Sequence, residues 1–379
     1  MDLRWTRDRR PVVDAARPHD PHDITPHLMT FPWGLSFFET TKCVESVLGG
    51  VVDKDSGADS RSKDVISLAQ GVVYWQPPEQ ALDKVKEIVW DPVTSRYGVD
   101  DGLPELREAL IEKLRRENKL TKSSVMVTAG ANQAFVNLVL ALCDSGDSVV
   151  MFAPYYFNAY MSFQMTGVTD ILVGPGDPET LQPDIDWLER TLSGKDNKPI
   201  PKLVTVVNPG NPSGIYIPEP LLQIAYPSKV KGLADQLLKI QDNIPICASI
   251  IGQRLALYSL QIGPEWIQVR VQNLVKNREV LKEALSPLGE GAVKGGEGAI
   301  YLWAKLPSDH SNDFEVVRWL VRRHGVVVIP GSASGGLGYI RISFGGLRDS
   351  DCEIAARRLK RGLEELVSED AEQKGGFYE

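Results

Sequence analysis

Lys202-Leu-Val-Thr-Val-Val-Asn-Pro-Gly-Asn-Pro-Ser-Gly214 is the stretch on which the fold turns. After the opening lysine its first residues are apolar or β-branched, which predicts a strand, Lys202–Val207, covered on both faces of a sheet. Two Asn-Pro pairs within five residues then force an extended, rigid loop. A plain turn needs no such repetition. Asn211 is therefore a candidate functional amide, held at the end of a buried strand and aimed into a crevice where α/β sheets bind ligands.

Working outward, the chain alternates between helix and strand patterns. Leu103–Asn118 reads as a helix, with Pro104 suited to its first turn and Leu106, Ala109, Leu110 and Leu114 on one face. Ser124–Thr128, Asp147–Phe152 and Asp170–Val173 read as strands, and Ala134–Leu142 as an apolar helix. Such alternation implies a parallel sheet. Downstream, Pro264–Leu288 reads as one long helix able to join two domains. Ala299–Ala304, a helix Asp313–His324 stopped by Gly325, then Val326–Ile329 and Tyr339–Phe344 form a second, smaller α/β unit.

The expected organisation is an atypical N-terminal segment over 1–64, a large domain over 65–263, a linking helix and small domain over 264–370, and a tail over 371–379. Met1–His27 reads as a disordered arm. Its arginines suggest a transit peptide, but Asp2, Asp8, Asp14, Asp20 and Asp23 argue against one. Asp53–Asp64 reads as a polar loop.

A length of 379 residues suits two domains. Lys and Arg number 42 against 50 Asp and Glu, a net charge of −8 without a long basic block, so nucleic acid is not the expected partner. No apolar run approaches the roughly 20 residues of a membrane helix. The four cysteines lack CxxC pairing, which fits a reducing, cytoplasmic setting and no structural zinc. No histidine lies between Met29 and Lys305, so the middle of the chain does not use imidazole chemistry. No P-loop occurs, and Ala333 stands where a nucleophile-elbow serine would.

Three further motifs carry chemistry. In Val125-Met-Val-Thr-Ala-Gly-Ala-Asn-Gln-Ala-Phe135 a strand turns at Gly130 into a helix, presenting the backbone N–H groups of Ala131 and Asn132 to a phosphate or carboxylate. Alone, it also reads as an ordinary strand–helix turn. Phe152-Ala-Pro-Tyr-Tyr-Phe157 places Tyr156 past a strand end, where it stacks on a flat ligand or simply packs a loop. In Gly338-Tyr-Ile-Arg-Ile-Ser-Phe344, Arg341 is either a rigid carboxylate clamp or part of a solvated strand face.

Taken in order, these motifs resemble the class I/II aminotransferases, pyridoxal-5′-phosphate enzymes of fold type I. Leu68-Ala-Gln-Gly71 and Arg96-Tyr-Gly-Val-Asp-Asp-Gly102 match as well. Gly71–Pro78 (GVVYWQPP) and Lys294–Leu306 (KGGEGAIYLWAKL) are similar to the plant enzymes acting on aromatic amino acids and methionine, with indole-3-pyruvate as a keto-acid partner. The resemblance implies an α/β fold with a mostly parallel large-domain sheet and a smaller α/β C-terminal domain. It implies that Ala131 and Asn132 hold the cofactor phosphate, Tyr156 stacks on the pyridine ring, and Asn211 bonds the ring hydroxyl. Arg341, with Gly71 nearby, would take the substrate carboxylate, and Tyr97 would reach across a homodimer to the partner's cofactor phosphate. The expected substrates are an amino acid and a 2-oxo acid.

One departure stands out. After Gly214 the family continues with an Asp-x-x-Tyr element and a Ser-x-Ser-Lys element, whose lysine forms the Schiff base. Here Pro218-Glu-Pro-Leu-Leu-Gln223 runs straight into Ile224-Ala-Tyr-Pro-Ser-Lys-Val-Lys231. Against the family pattern about 55–60 residues are absent, on the scale of two βα units. The expectation is an interrupted large-domain sheet, with Ser124–Thr128 separated from Lys202–Val207 and Ile224–Tyr226 as a remnant able to pair, and an impaired or inactive isoform without a catalytic lysine. Lys229 and Lys231 are candidate surrogates, though a solvated helix start is the plainer reading. The alternatives are a non-catalytic dimer partner of full-length subunits and a carbon–sulfur lyase using the same cofactor.

Overall fold

The computed structural model describes residues 65–194, 200–219 and 232–368. The Met1–His27 arm, the Asp53–Asp64 loop, the Ile224–Tyr226 remnant, Lys229, Lys231 and the tail over 371–379 lie outside the described residues.

The chain opens with β1 (Ile66–Ser67), α1 (Glu79–Ile88), α2 (Pro104–Asn118) and α3 (Ala131–Leu142). Next come β2 (Ser148–Phe152), α4 (Phe157–Met165), β3 (Asp170–Gly174), α5 (Ile185–Leu192) and β4 (Leu203–Val204). The helices α6 (Leu233–Asn243), α7 (Ile250–Ile262) and α8 (Glu265–Ala284) follow. The C-terminal part holds β5 (Val293–Gly295), β6 (Tyr301–Lys305), α9 (Asp313–Trp319), β7 (Val326–Val327), β8 (Ile329–Pro330), β9 (Tyr339–Ser343) and α10 (Asp349–Ser368). The architecture is α/β.

Among the described residues the strands form three sheets. β3, β2 and β4 make a parallel sheet in that order, β5-β6-β9-β8 is antiparallel, and β1 pairs in parallel with β7. Every residue of β2 is buried, so its alternate side chains feed two small clusters on opposite faces. Val149 joins Val139, Cys143, Phe163 and Val168, while Val150 and Phe152 join Leu188. The C-terminal part has one continuous core instead, running from Leu68 through Leu281, Leu302 and Ile340 to Leu359 and Leu366. Through Leu68 and β1, residues at the start of the described chain complete this C-terminal core.

Local chemistry sets the element ends. Pro104 occupies the first turn of α2, Asp184 caps α5 by accepting from the Trp187 N–H at 2.8 Å, and Gly325 stops its helix at φ 65°. The helix from Asp313 passes into a π-turn over Leu320–His324 before that stop.

Two expected strands are corrected. Among the described residues Ser124–Thr128 has no ladder. Side chains and one loop carbonyl serve its backbone instead: Arg107 Nε donates to Val125 O (2.8 Å), Gln241 Nε2 donates to Val127 O (3.0 Å), and Val127 N donates to Asp101 O (3.0 Å). Strand propensity is expressed only where a neighbouring strand accepts it. Lys202–Val207 shrinks to the two residues of β4, registered against Val149 and Val150, and no strand pairs with its other edge among the described residues. The expected segment Val326–Ile329 divides between two sheets around the fully buried Val328.

Candidate functional site

Two groups of the predicted site residues meet: Arg341, Asn211 and Gly71 around Tyr301, and Tyr156 with Asn132. Arg341 sits in the middle of β9, between Trp303 of β6 and Ile329 of β8. It is only 5 % exposed, which excludes the solvated-face reading. Its guanidinium donates from Nη1 to Asn211 Oδ1 at 3.0 Å and from Nη2 to Ala69 O at 2.6 Å, and lies 4.6 Å from the centre of the Tyr301 ring. Among the described residues no carboxylate faces it, and Nε is buried without a hydrogen-bond partner. Burial weakens its hold on the proton. A buried cation with unspent donors is costly unless an anion completes it, so the geometry suits a carboxylate.

Asn211 is fixed as the loop pattern predicts. Its Nδ2 donates to Tyr301 Oη at 3.4 Å while its Oδ1 receives Arg341. The other loop asparagine, Asn208, plays a structural part. Its side chain donates to Ile217 O and accepts from Ile217 N, closing the loop on itself. This loop docks against the β5–β6 hairpin through bare backbone. Gly296 N and Gly298 N both donate to Gly214 O, and a Cβ on Gly214, which has φ 69°, would overlap Tyr301 O. Gly71 is equally constrained, since a side chain there would overlap the Tyr301 hydroxyl.

Tyr156 and Asn132 also meet. Tyr156 Oη donates to Asn132 Oδ1 at 3.1 Å and accepts from Asn158 Nδ2 at 2.7 Å. This places the Tyr156 hydroxyl over the exposed first turn of α3, where Ala131 and Asn132 begin the helix. Tyr156 and Asn211 line one cavity, so the two groups of residues share one crevice. Its neighbour Tyr155 is half-buried, and burial pushes that phenol up to about 12. Tyr97 is not part of this cluster. It is 77 % exposed on the surface.

A cavity of about 40 Å³ opens beside Tyr155, Tyr156 and Asn211, floored by Thr205, Val207 and Ile217. Thr205 Oγ1 is buried there without a hydrogen-bond partner among the described residues. Neither an amine nor a carboxylate lines the cavity among the described residues.

Sequence reasoning missed Tyr301 and the Ala69 carbonyl. Tyr301 follows the glycine-rich Gly295-Gly-Glu-Gly298, a pattern that signals close backbone approach. Nothing local marks Ala69, because its role is set by a strand 272 residues away.

Comparison with known proteins gives consistent results. The sequence pattern described as aminotransferase class I and II matches residues 63–229 and 222–359. The chain is 59 % identical over 358 residues to the aromatic aminotransferase ISS1 of Arabidopsis thaliana, covering 80 % of this chain and 90 % of the relative. Among solved structures it resembles an aspartate aminotransferase single mutant from Thermus thermophilus, with TM-score 0.72 and 21 % identity over 85 % of this chain and 96 % of that one. It also resembles an aromatic aminotransferase from Pyrococcus horikoshii OT3, with TM-score 0.70 and 22 % identity over 84 % and 99 %. At such identity the structures speak for the fold, which is that of fold type I aminotransferases.

Proposed function

Because the chain belongs to the class I and II aminotransferase family, whose members depend on pyridoxal phosphate, we propose that it is a member of the aromatic branch that keeps the carboxylate clamp and has lost the covalent anchor for the cofactor. The 59 % identity to an enzyme named for aromatic substrates supports the branch. The cofactor supplies an electron sink and an exchangeable imine when bound. The described residues fit part of that group. Asn132 and Tyr156 stand at a helix N-terminus, Asn211 offers an amide, and Arg341 awaits an anion. They do not fit its covalent attachment, since among the described residues no amine lines the cavity, nor protonation of its ring nitrogen, since no described carboxylate does. Without the anchoring base, proton transfer loses about 10²–10⁴-fold in rate.

The observation that carries the proposal is the way the alignments break. The family pattern matches in two pieces that overlap at 222–229, where a continuous member would align once. Against the Arabidopsis relative, 80 % of 379 residues is about 303, set against 358 aligned positions, so about 55 positions of the relative face no residue of this chain. The overlap supports a break at the Gln223–Ile224 junction, and the deficit supports a missing segment of about 55 residues.

The test is to incubate the full chain with pyridoxal phosphate, record the imine absorbance, reduce with borohydride and map adducts by mass spectrometry. No stable adduct and no transamination of phenylalanine or methionine is the expected result. An adduct on Lys229 or Lys231 accompanied by turnover overturns the proposal. A transcript reading continuously through extra codons between 214 and 230 would recast the chain as a fragmentary version of an active enzyme.

A second reading, a non-catalytic partner of full-length subunits, is supported by the exposure of three large apolar side chains close in sequence, Trp90 at 87 %, Val93 and Tyr97 at 77 %. Co-purification with an intact relative would favour it, and a purely monomeric chain would count against it. A cytoplasmic location belongs to the proposal as well, supported by the free thiols of Cys143, Cys247 and Cys352.

A further inference from the structure

Asp313 is a buried carboxylate with no part in the site described so far. It is 1 % exposed, and no ion pair to it is seen among the described residues. Such a group is held only by a full set of donors. Ser332 Oγ donates to Oδ1 at 2.6 Å, while Ser332 N and Gly338 N donate to Oδ2 at 3.1 and 2.8 Å. Ser332 and Gly338 lie at the two ends of the loop joining β8 to β9, so one carboxylate closes that loop.

The loop is placed to matter. Gly338 leads directly into β9, and Arg341 faces Ile329 of β8 across the hairpin. At its tip, Ser334 O accepts from Tyr155 N at 2.9 Å, and Gly335 packs against the Tyr155 ring so closely that an added Cβ would stand 2.6 Å from it. Gly336 similarly abuts the Trp303 ring, on the strand that flanks Arg341 from the other side. The hairpin therefore ties the guanidinium to the Tyr155–Tyr156 segment across the crevice, and Asp313 is its fastening.

We propose that Asp313 is the positioning residue of the carboxylate clamp, fixing the Ser332–Gly338 loop so that Arg341 and the Tyr155–Tyr156 segment stand at a set separation. This rests on the reading of Arg341 as a carboxylate clamp. A guanidinium that delivers two parallel hydrogen bonds tolerates little misplacement, so loosening the hairpin costs the charged contact while leaving apolar contacts in place.

The experiment compares phenylpyruvate with its methyl ester, each titrated into the full-length chain and followed by calorimetry without cofactor. In the unaltered protein the acid should bind at least about tenfold tighter than the ester. Asp313→Ala should reduce that preference to within about threefold while the ester affinity is unchanged, because it removes the acceptors of Ser332 N, Gly338 N and Ser332 Oγ together. Ser332→Ala removes the 2.6 Å hydroxyl bond alone and should give a smaller fall in the same direction, and it carries the test if the first variant fails to fold. Weakening of acid and ester together, with the preference intact, would mark a merely structural role and overturn the inference. Arg341→Met separates the two levels. If it abolishes the preference while Asp313→Ala and Ser332→Ala do not, the clamp stands and the role of Asp313 falls. If the unaltered protein shows no preference, the clamp and the inference fall together.

Discussion

The C-terminal unit and the sheet around β2 both combine strands with helices, yet only one has a continuous core. The four-stranded β5-β6-β9-β8 sheet has helices α8 and α10 packed on it, and its core continues without a break from Leu68 to Leu366. Among the described residues the β3-β2-β4 sheet has three strands, divides its core into two small clusters, and ends at a two-residue strand. Next to it, Val125 and Val127 satisfy their carbonyls on Arg107 and Gln241 rather than on a strand. The difference teaches that a strand sequence is a half-statement. Its backbone groups demand partners, and where no strand provides them the chain finds side chains.

The sharpest way to break this comparison is truncation in both places. Leu359→Ala, at a side chain with no exposure in the continuous core, should cost about 2–5 kcal/mol. Leu203→Ala, in half-buried β4, should cost about 1 kcal/mol. Urea unfolding of both variants measures the pair, and equal losses would abolish the distinction.

Glycine substitutions probe the contact between the two regions. Gly214→Ala forces a side chain into a left-handed position against Tyr301 O and should cost about 2 kcal/mol or more. Gly130, extended at φ 167° with open space where a Cβ would sit, should accept alanine within about 0.5 kcal/mol. Thermal unfolding of the two variants side by side reads the contrast.

Thiol labelling sharpens the comparison without mutation. Burial pushes the Cys352 thiol up to about 12 and raises that of Cys143, so both are inert while folded. Cys143 lies in the small cluster beside β2 and Cys352 in the continuous core. Native-state maleimide exchange, corrected for the rate of each unfolded peptide, should reach Cys143 through local opening and Cys352 only through global unfolding. Equal protection would show that the incomplete sheet is as cooperative as the complete one.

The smallest expected effect is the pH response of the C-terminal unit. Burial depresses the His324 proton affinity below its ordinary value of 6.5, with Arg323 and Arg361 adding to the depression and Glu365 opposing it. The unfolded chain therefore takes up a proton at higher pH than the folded one. His324 then contributes stability that is full above 6.5 and is lost as the pH falls through the folded value. His324→Gln should flatten the acid side of the unfolding midpoint against pH, and an unchanged profile would remove His324 as the cause.

Much of the site was legible in the residues themselves. Repeated Asn-Pro pairs single out Asn211, an arginine between two isoleucines singles out Arg341, and a small-residue turn before an apolar helix singles out Ala131 and Asn132. These are local signals, because each motif shapes its own backbone. The sequence by itself also determined the family and the helices starting near Pro104, Ala131 and Glu265, since periodicity and turn chemistry act within a few residues. Only the tertiary structure decided which strands found partners and whether Arg341 faced water or the crevice. It also decided that the Ala69 carbonyl, Tyr301 and the donors of Ser332 and Gly338 would complete the polar groups buried beside them. The reason is that hydrogen bonding of a buried group is settled by whatever atom lies within about 3 Å, and chain distance carries no information about that.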